Sequence, residues 1–215
     1  MRVNEQGRSM IEMLGVLAIV GVLSVGGIAG YSKAMNKFKT NKVIDQINMI
    51  STNIRTLYSS QRNYHGLSNQ IAITTGIIPA EMYATISGSV ITNAFGGRVL
   101  IGPSATVGDS EGAYTIATDG IPASSCISIL TTDWGGDSGS GVVAIYANPE
   151  DGDDGYENAY SMLAEAGQSL TAAANLAVPG DDTYGLPFSI VNANTACYPT
   201  TRGQKVDVAI AWKFM

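Results

Sequence analysis

From Ser9 to Ser32 the chain places apolar or small residues at nearly every position, and Glu12 is the only charge in that run. As a helix the segment would extend roughly 36 Å, against about 30 Å of bilayer hydrocarbon, so it predicts a membrane-spanning helix. Past Ser32 the pattern changes and the helix continues. Tyr31, Ala34, Met35 and Phe38, then Ile44, Ile47, Ile50, Ile54, Leu57 and Tyr58, recur at helical spacing with Lys and Asn between them. No proline interrupts residues 8–78. The expectation is one helix from about Ser9 to Ser60, apolar in its first half and amphipathic in its second. Gly15, Gly21, Gly26, Gly27 and Gly30 fall in the apolar half, where they serve close helix packing or local unwinding.

Tyr64-His65-Gly66 closes the helix, and residues 67–83 read as a short helix or an irregular connector. The segment from Ile91 through Asn93, Phe95, Gly96 and Gly97 is a turn signal leading into a strand from Arg98 to Ile101. Alternation predicts a second strand over Ala113–Ala117 and a third over Gly141–Ala147. Gly120-Ile121-Pro122 should start a helix carrying Cys126, since proline suits a first helical turn. Tyr156 to Ala177 reads as an alanine-rich helix with Tyr160, Leu163, Ala164 and Leu170 on one side. Strict alternation from Lys205 to Phe214 predicts a terminal strand.

With charged residues at 14% and 25 glycines, composition suits a β-rich or loop-rich domain. The net charge of −6 hides an asymmetry. Residues 8–65 carry Arg8, Lys33, Lys37, Lys39, Lys42, Arg55 and Arg62 against Glu12 and Asp45, whereas the remainder of the chain is strongly acidic. A basic helix and an acidic head are complementary between copies of one molecule, or are simply a soluble surface with a few cations near lipid. No basic patch interleaved with aromatics points to nucleic acid.

Cys126 and Cys197 lie 71 residues apart without a CxxC or a neighbouring His. In an oxidising compartment they should form one disulfide; in a reducing one they would be two buried thiols. His65 is the only histidine and reads as a surface loop residue, which leaves no His-based metal site or triad. The Gly-Asp-Ser-Gly sequence at 136–139 therefore reads as a turn. Asp151, Asp153, Asp154 and Glu157 offer hard oxygen ligands, but their spacing does not fit an EF-hand, and the loop reads as solvated surface. No metal, cofactor or catalytic residue is expected.

The N-terminus inverts the order of a secretory signal peptide, whose apolar stretch precedes the cut. Here a polar leader, residues 1–7, ends at Gly7, and the apolar run follows. Gly7, then Arg8-Ser9-Met10-Ile11-Glu12, resembles the class III signal of type IV prepilins: a glycine before the cut, an apolar stretch after it and a glutamate at the fifth mature position. The family usually begins its mature chain with Phe or Met, and this chain would begin with Arg8. A carboxylate inside such a helix costs on the order of 2.5–3.5 kcal/mol even on a lenient insertion scale, so Glu12 needs a partner. The resemblance implies that the partner is the new amine at Arg8 of an adjacent subunit, methylated by the same peptidase that cuts after Gly7. The Arg8 guanidinium is a second candidate.

The Asn93–Gly97 segment is similar to an Asn-Pro/Ala-Phe/Trp-Gly-Gly segment of type IVb pilin heads, and Cys126 to Cys197 would bound the family's D-region. The resemblance thus implies an α+β fold, with a long N-terminal helix packed on an antiparallel sheet and additional short helices. Its segments would be a leader (1–7), a transmembrane and polymerisation helix (8–32) and an amphipathic half plus head (33–215). The implied function is a structural subunit, not an enzyme, of an extracellular type IVb pilus for adhesion, aggregation or related surface functions. The implied partners are further copies of the chain, the prepilin peptidase and methyltransferase, and the inner-membrane assembly machinery. Before assembly the head would lie in the periplasm. Lys33, Lys37, Lys39 and Lys42 follow the span, which naive positive-inside counting would leave in the cytoplasm, but long domains translocate largely regardless of charge. A type II secretion pseudopilin and a membrane-anchored binding domain are the alternatives.

Overall fold

The computed structural model describes residues 10–84, 88–106, 108–135, 141–149, 155–164, 170, 172–173, 175–198 and 207–215. The chain forms two compact units, Met1–Phe38 and Lys39–Met215. Helix α1, Met10–Tyr58, begins in the first and ends in the second. Its described start and its end lie within two residues of the sequence expectation.

In the first unit every side chain from Met10 to Ala34 is exposed, although nearly all are apolar. Alone in water this surface would be strongly unfavourable, so lipid or other apolar helices must cover it. In the second unit α1 buries Thr40, Val43, Gln46, Ile47, Ile50, Ser51, Ile54 and Tyr58. These positions recur every three or four residues and form one stripe. Leu57, placed on that stripe by sequence, is 42% exposed, and Val43 takes a core position instead.

The head is a six-stranded sheet in the order β1-β2-β3-β6-β4-β5. The strands are β1 (Ile91–Thr92), β2 (Arg98–Thr106), β3 (Asp109–Pro122), β4 (Val142–Asn148), β5 (Leu176–Ala177) and β6 (Asp207–Phe214), with every neighbouring pair antiparallel. Short helices decorate it: α2 (Asn69–Thr74), α3 (Ala123–Leu130), α4 (Gly155–Ala164) and α5 (Ile190–Cys197), with a 3-10 turn at Ala80–Met82. The central strand β6 pairs Phe214 with Tyr114 and Trp212 with Ile116. One sheet face presents Tyr114, Ile116, Val208, Ile210, Trp212 and Phe214 to Ile47, Ile50 and Ile54 of α1.

The opposite face carries Ala117, Ala144, Ala209 and Ala211, which pack with Ala159 and Leu163 of α4. Alternation in the last strand therefore separates two buried faces, a bulky one under α1 and a small-residue one under α4. Alanine has no side chain beyond Cβ, so α4 can approach the strands closely. A Cβ on Gly102 would meet the Tyr160 hydroxyl, which donates to Pro103 O at 2.9 Å. The helix expected over Tyr156–Ala177 does not reach its expected end: among the described residues α4 covers Gly155–Ala164, and Leu176–Ala177 pairs with β4 as β5. The alanine-rich composition favours helix locally, but the β4 edge offers Leu176 and Ala177 strand hydrogen bonds and burial.

The Asn93–Gly97 turn has a specific cause. Buried Asn93 donates through Nδ2 to Thr118 Oγ1 and to Asp119 O, both at 2.7 Å. Its Oδ1 accepts from Phe95 N (2.7 Å) and Gly97 N (3.1 Å). Gly96 has a φ of +91°, which glycine adopts without the usual Cβ penalty. A Cβ on Gly97 would overlap the Asp119 carbonyl. Gly97→Ala is accordingly expected to lower head stability by about 2–3 kcal/mol through overpacking, read as a shift in the urea unfolding midpoint.

Candidate assembly site and disulfide-bounded region

Glu12 sits in the first described turn of α1, exposed on its apolar surface. A turn or two along the same side lie Gly15, Val16 and Ile19, all exposed. A Cβ at any of Gly15, Gly21, Gly26, Gly27 or Gly30 would meet nothing within 4 Å, so these glycines leave open surface along the helix. α1 is long and apolar enough to cross a membrane by length and composition. Gly7 and Arg8 lie outside the described residues.

Within the head the structure brings together the two cysteines. Cys126 in α3 and Cys197 in α5 are disulfide-bonded, with Cα atoms 5.9 Å apart and both side chains fully buried. The bond ties two helices that have few sheet contacts of their own. α5 is capped by Ser189, whose Oγ accepts from Asn192 N at 3.2 Å. Its outer face leaves Ile190 and Val191 75% and 74% exposed, with Asn194, Thr195 and Tyr198 beside them. The region between the cysteines therefore presents an apolar and uncharged polar helix face to its surroundings.

The sites read as non-catalytic are placed as follows. His65 is at the surface, its Nδ1 2.6 Å from Glu111 Oε2. Residues 136–139 and Asp151, Asp153 and Asp154 lie outside the described residues, while Glu157 is in the first turn of α4. Among the described residues no group of three His, Cys, Asp or Glu is placed to hold a metal.

Two buried polar side chains carry no sequence signal. Lys213, on the small-residue face of β6, donates from Nζ to Ala105 O (2.6 Å) and Leu163 O (3.0 Å). It thus meets the carbonyl end of α4, where the helix dipole favours a cation. Burial holds its ammonium below the usual lysine value. The Tyr114 hydroxyl shares a 2.8 Å hydrogen bond with Ser51 Oγ on α1 and donates to Ser51 O at 3.3 Å.

Burial pushes the phenols of Tyr114 and Tyr160 up to about 12. An unfolded chain loses those protons near pH 10 and the folded head keeps them, so stability falls as pH rises from about 10 to 12. For Tyr114 the full loss is about 2–3 kcal/mol. Urea midpoints measured across that range should decline, and Tyr114→Phe should flatten the decline.

Comparison with known proteins fits this arrangement. Residues 37–198 match the family described as PilS N terminal. The chain is 29% identical over 131 residues to the major structural subunit of bundle-forming pilus of Escherichia coli O127:H6, and equally to that of Escherichia coli O111:H-. The match covers 61% of this chain and 66% of each relative, so the chain spans just under two thirds of their length. In fold it is similar to the crystal structure of TcpA, a type IV pilin from Vibrio cholerae El Tor biotype. That likeness has a TM-score of 0.57 at 16% identity and covers 82% of this chain and 99% of TcpA. The NMR structure of the type IVb pilin PilS from Salmonella typhi aligns with a TM-score of 0.42 at 17% identity, over 81% of this chain and 96% of that one.

Proposed function

Since this chain belongs to the PilS family of type IV pilins, we propose that it is the structural subunit of a type IVb pilus, polymerised through the apolar half of α1. It is a structural protein and not an enzyme, as are the pilus subunits it resembles. The observation that carries the reading is Glu12, a single carboxylate on a helix surface that is otherwise exposed and apolar. Burial of that surface among sister helices supplies most of the assembly energy. The carboxylate then needs a cation, and the amine freed at Arg8 of a neighbour supplies it and fixes the axial register.

The precursor is cut after Gly7, residues 8–32 hold it in the inner membrane, and residues 33–215 form the rest of the subunit with the head on the periplasmic side. The assembled filament is extracellular and displays the region from Cys126 to Cys197 for contacts between subunits, cells or surfaces in adhesion or aggregation. Intact mass and N-terminal sequencing of the protein from sheared cell-surface material, together with imaging of the cells, test this. The expected result is fibres whose subunit begins at Arg8, with one added methyl. A chain that retains Met1, or cells whose envelope holds the protein without fibres, would overturn it. A short periplasmic assembly without surface fibres is the outcome a secretion pseudopilin would give.

A further inference from the structure

Within the head unit, the first turn of α1 is held by three separate segments of chain. Lys39 Nζ lies 5.6 Å from the centroid of the Phe95 ring, in the turn after β1. Thr40 Oγ1 donates to Ser125 Oγ at 2.9 Å in a buried contact with the first turn of α3. Lys42 Nζ lies 3.2 Å from the Glu81 carboxylate, in the 3-10 turn. At about 100° per residue, these three positions point in three directions around the helix axis. They lie within an arc of about 160°, Lys39 and Thr40 at the start of the buried stripe and Lys42 beside it, so three segments hold the helix over less than half of its circumference.

The stretch before them is built differently. From Met10 to Ala34 no side chain is buried. Its five glycines are weak helix formers with nothing packed against them. A helix without tertiary contacts opens readily, and opening spreads residue by residue once begun. We propose that Lys39, Thr40 and Lys42 form a collar that stops opening of the apolar half of α1 from spreading into the head. Unwinding past residue 38 must break a long-range contact at nearly every step, in addition to the helical hydrogen bond. The head and its disulfide-bounded region thereby keep one fold while the first half of α1 adjusts to a bilayer or to packed helices. The collar rests on the contacts within the head and stands whether or not the chain forms filaments.

Hydrogen exchange followed by mass spectrometry tests this on the full chain in detergent micelles. In the unaltered protein, protection should drop between the micelle-covered span, which ends near residue 32, and residue 38, and should rise sharply again at residue 39. In the combined variant Thr40→Val, Ser125→Ala and Lys42→Gln, amides 39–46 should exchange at least roughly tenfold faster, the factor expected for losing a buried hydrogen bond and an ion pair. Amides 50–58, deeper in the core, should be unchanged. Lys42→Gln alone, at a surface contact that does not threaten folding, should give about a threefold change. The charge exchange Lys42→Glu with Glu81→Lys should restore it. An unmoved boundary in the combined variant would show that core burial from Val43 onward sets the stop, and would overturn the proposal. An equal acceleration throughout 39–58 would overturn it too, because the contacts would then serve global stability. If the combined variant does not fold, the decision rests on Lys42→Gln and its charge-exchanged rescue: no change in the first, or no recovery in the second, refutes the collar.

Discussion

Cells carrying Glu12→Gln should make the subunit, fold its head and form its disulfide, yet display no more than about one hundredth of the normal surface filament. In the proposed filament, the substitution leaves the cationic terminus of a neighbour buried without its counter-charge. Breaking a buried pair in this way costs about 3–5 kcal/mol, and each 1.4 kcal/mol is a factor of ten. The penalty recurs at every subunit, so the effect on polymer is larger than on any single contact. Membrane insertion should be unaffected or improved, since a neutral residue costs less in hydrocarbon than a carboxylate. Counting fibres by electron microscopy against total subunit in whole cells separates the two effects. Normal fibre numbers from the Gln variant would remove the role assigned to Glu12. Loss of the subunit itself would point to a folding or insertion role instead.

Removing the disulfide with Cys126→Ala and Cys197→Ala together should lower head stability by about 4 kcal/mol. The bond closes a loop of 71 residues, and the chain-entropy model assigns roughly that cost to freeing it. A domain of ordinary stability has only about 5–15 kcal/mol to lose, so the variant would sit near its unfolding threshold. For a unit of this size the thermal midpoint should fall by about 8–16 °C. The loss should begin in the region the bond closes, because α3 and α5 pack on each other more than on the strands β3, β6 and β4 beneath them. Differential scanning calorimetry gives the midpoint, and hydrogen exchange gives its location. A shift below about 2 °C would mean that packing of the two helices alone holds the region. Substituting both cysteines avoids a buried free thiol that could pair wrongly.

The long helix was legible because its signals are local and strong. A run of apolar residues with one acid, followed by a 3.6-residue stripe, admits few other readings. The strands at Arg98, Ala113, Gly141 and the C-terminus were legible from alternation and from the glycine-rich turn before the first of them. Gly7 and Glu12 carry a resemblance to a class III signal, and their roles belong to the proposed function; the chemical part of that reading is that a carboxylate in an apolar helix calls for a counter-charge. The family match over residues 37–198 rests on a part of the chain other than those residues.

Other features required the assembled head. Leu176 and Ala177 sit in alanine-rich sequence that favours helix, but an open strand edge at β4 recruits them as β5. In β6 the sequence alternates large and small residues, yet cannot say that the small ones are covered; α4 arrives from elsewhere in the chain to bury Ala209 and Ala211. Nothing in the sequence marks Lys213 as buried; the carbonyls of Ala105 and Leu163 that receive its ammonium are brought to it by the fold. Thr40 and Ser125 are 85 positions apart and carry no motif. Sequence by itself determined the elements whose physics is local: helix length, strand alternation, turn glycines and the isolated acid. Only the tertiary structure decided which surfaces meet, because burial and pairing depend on segments distant along the chain.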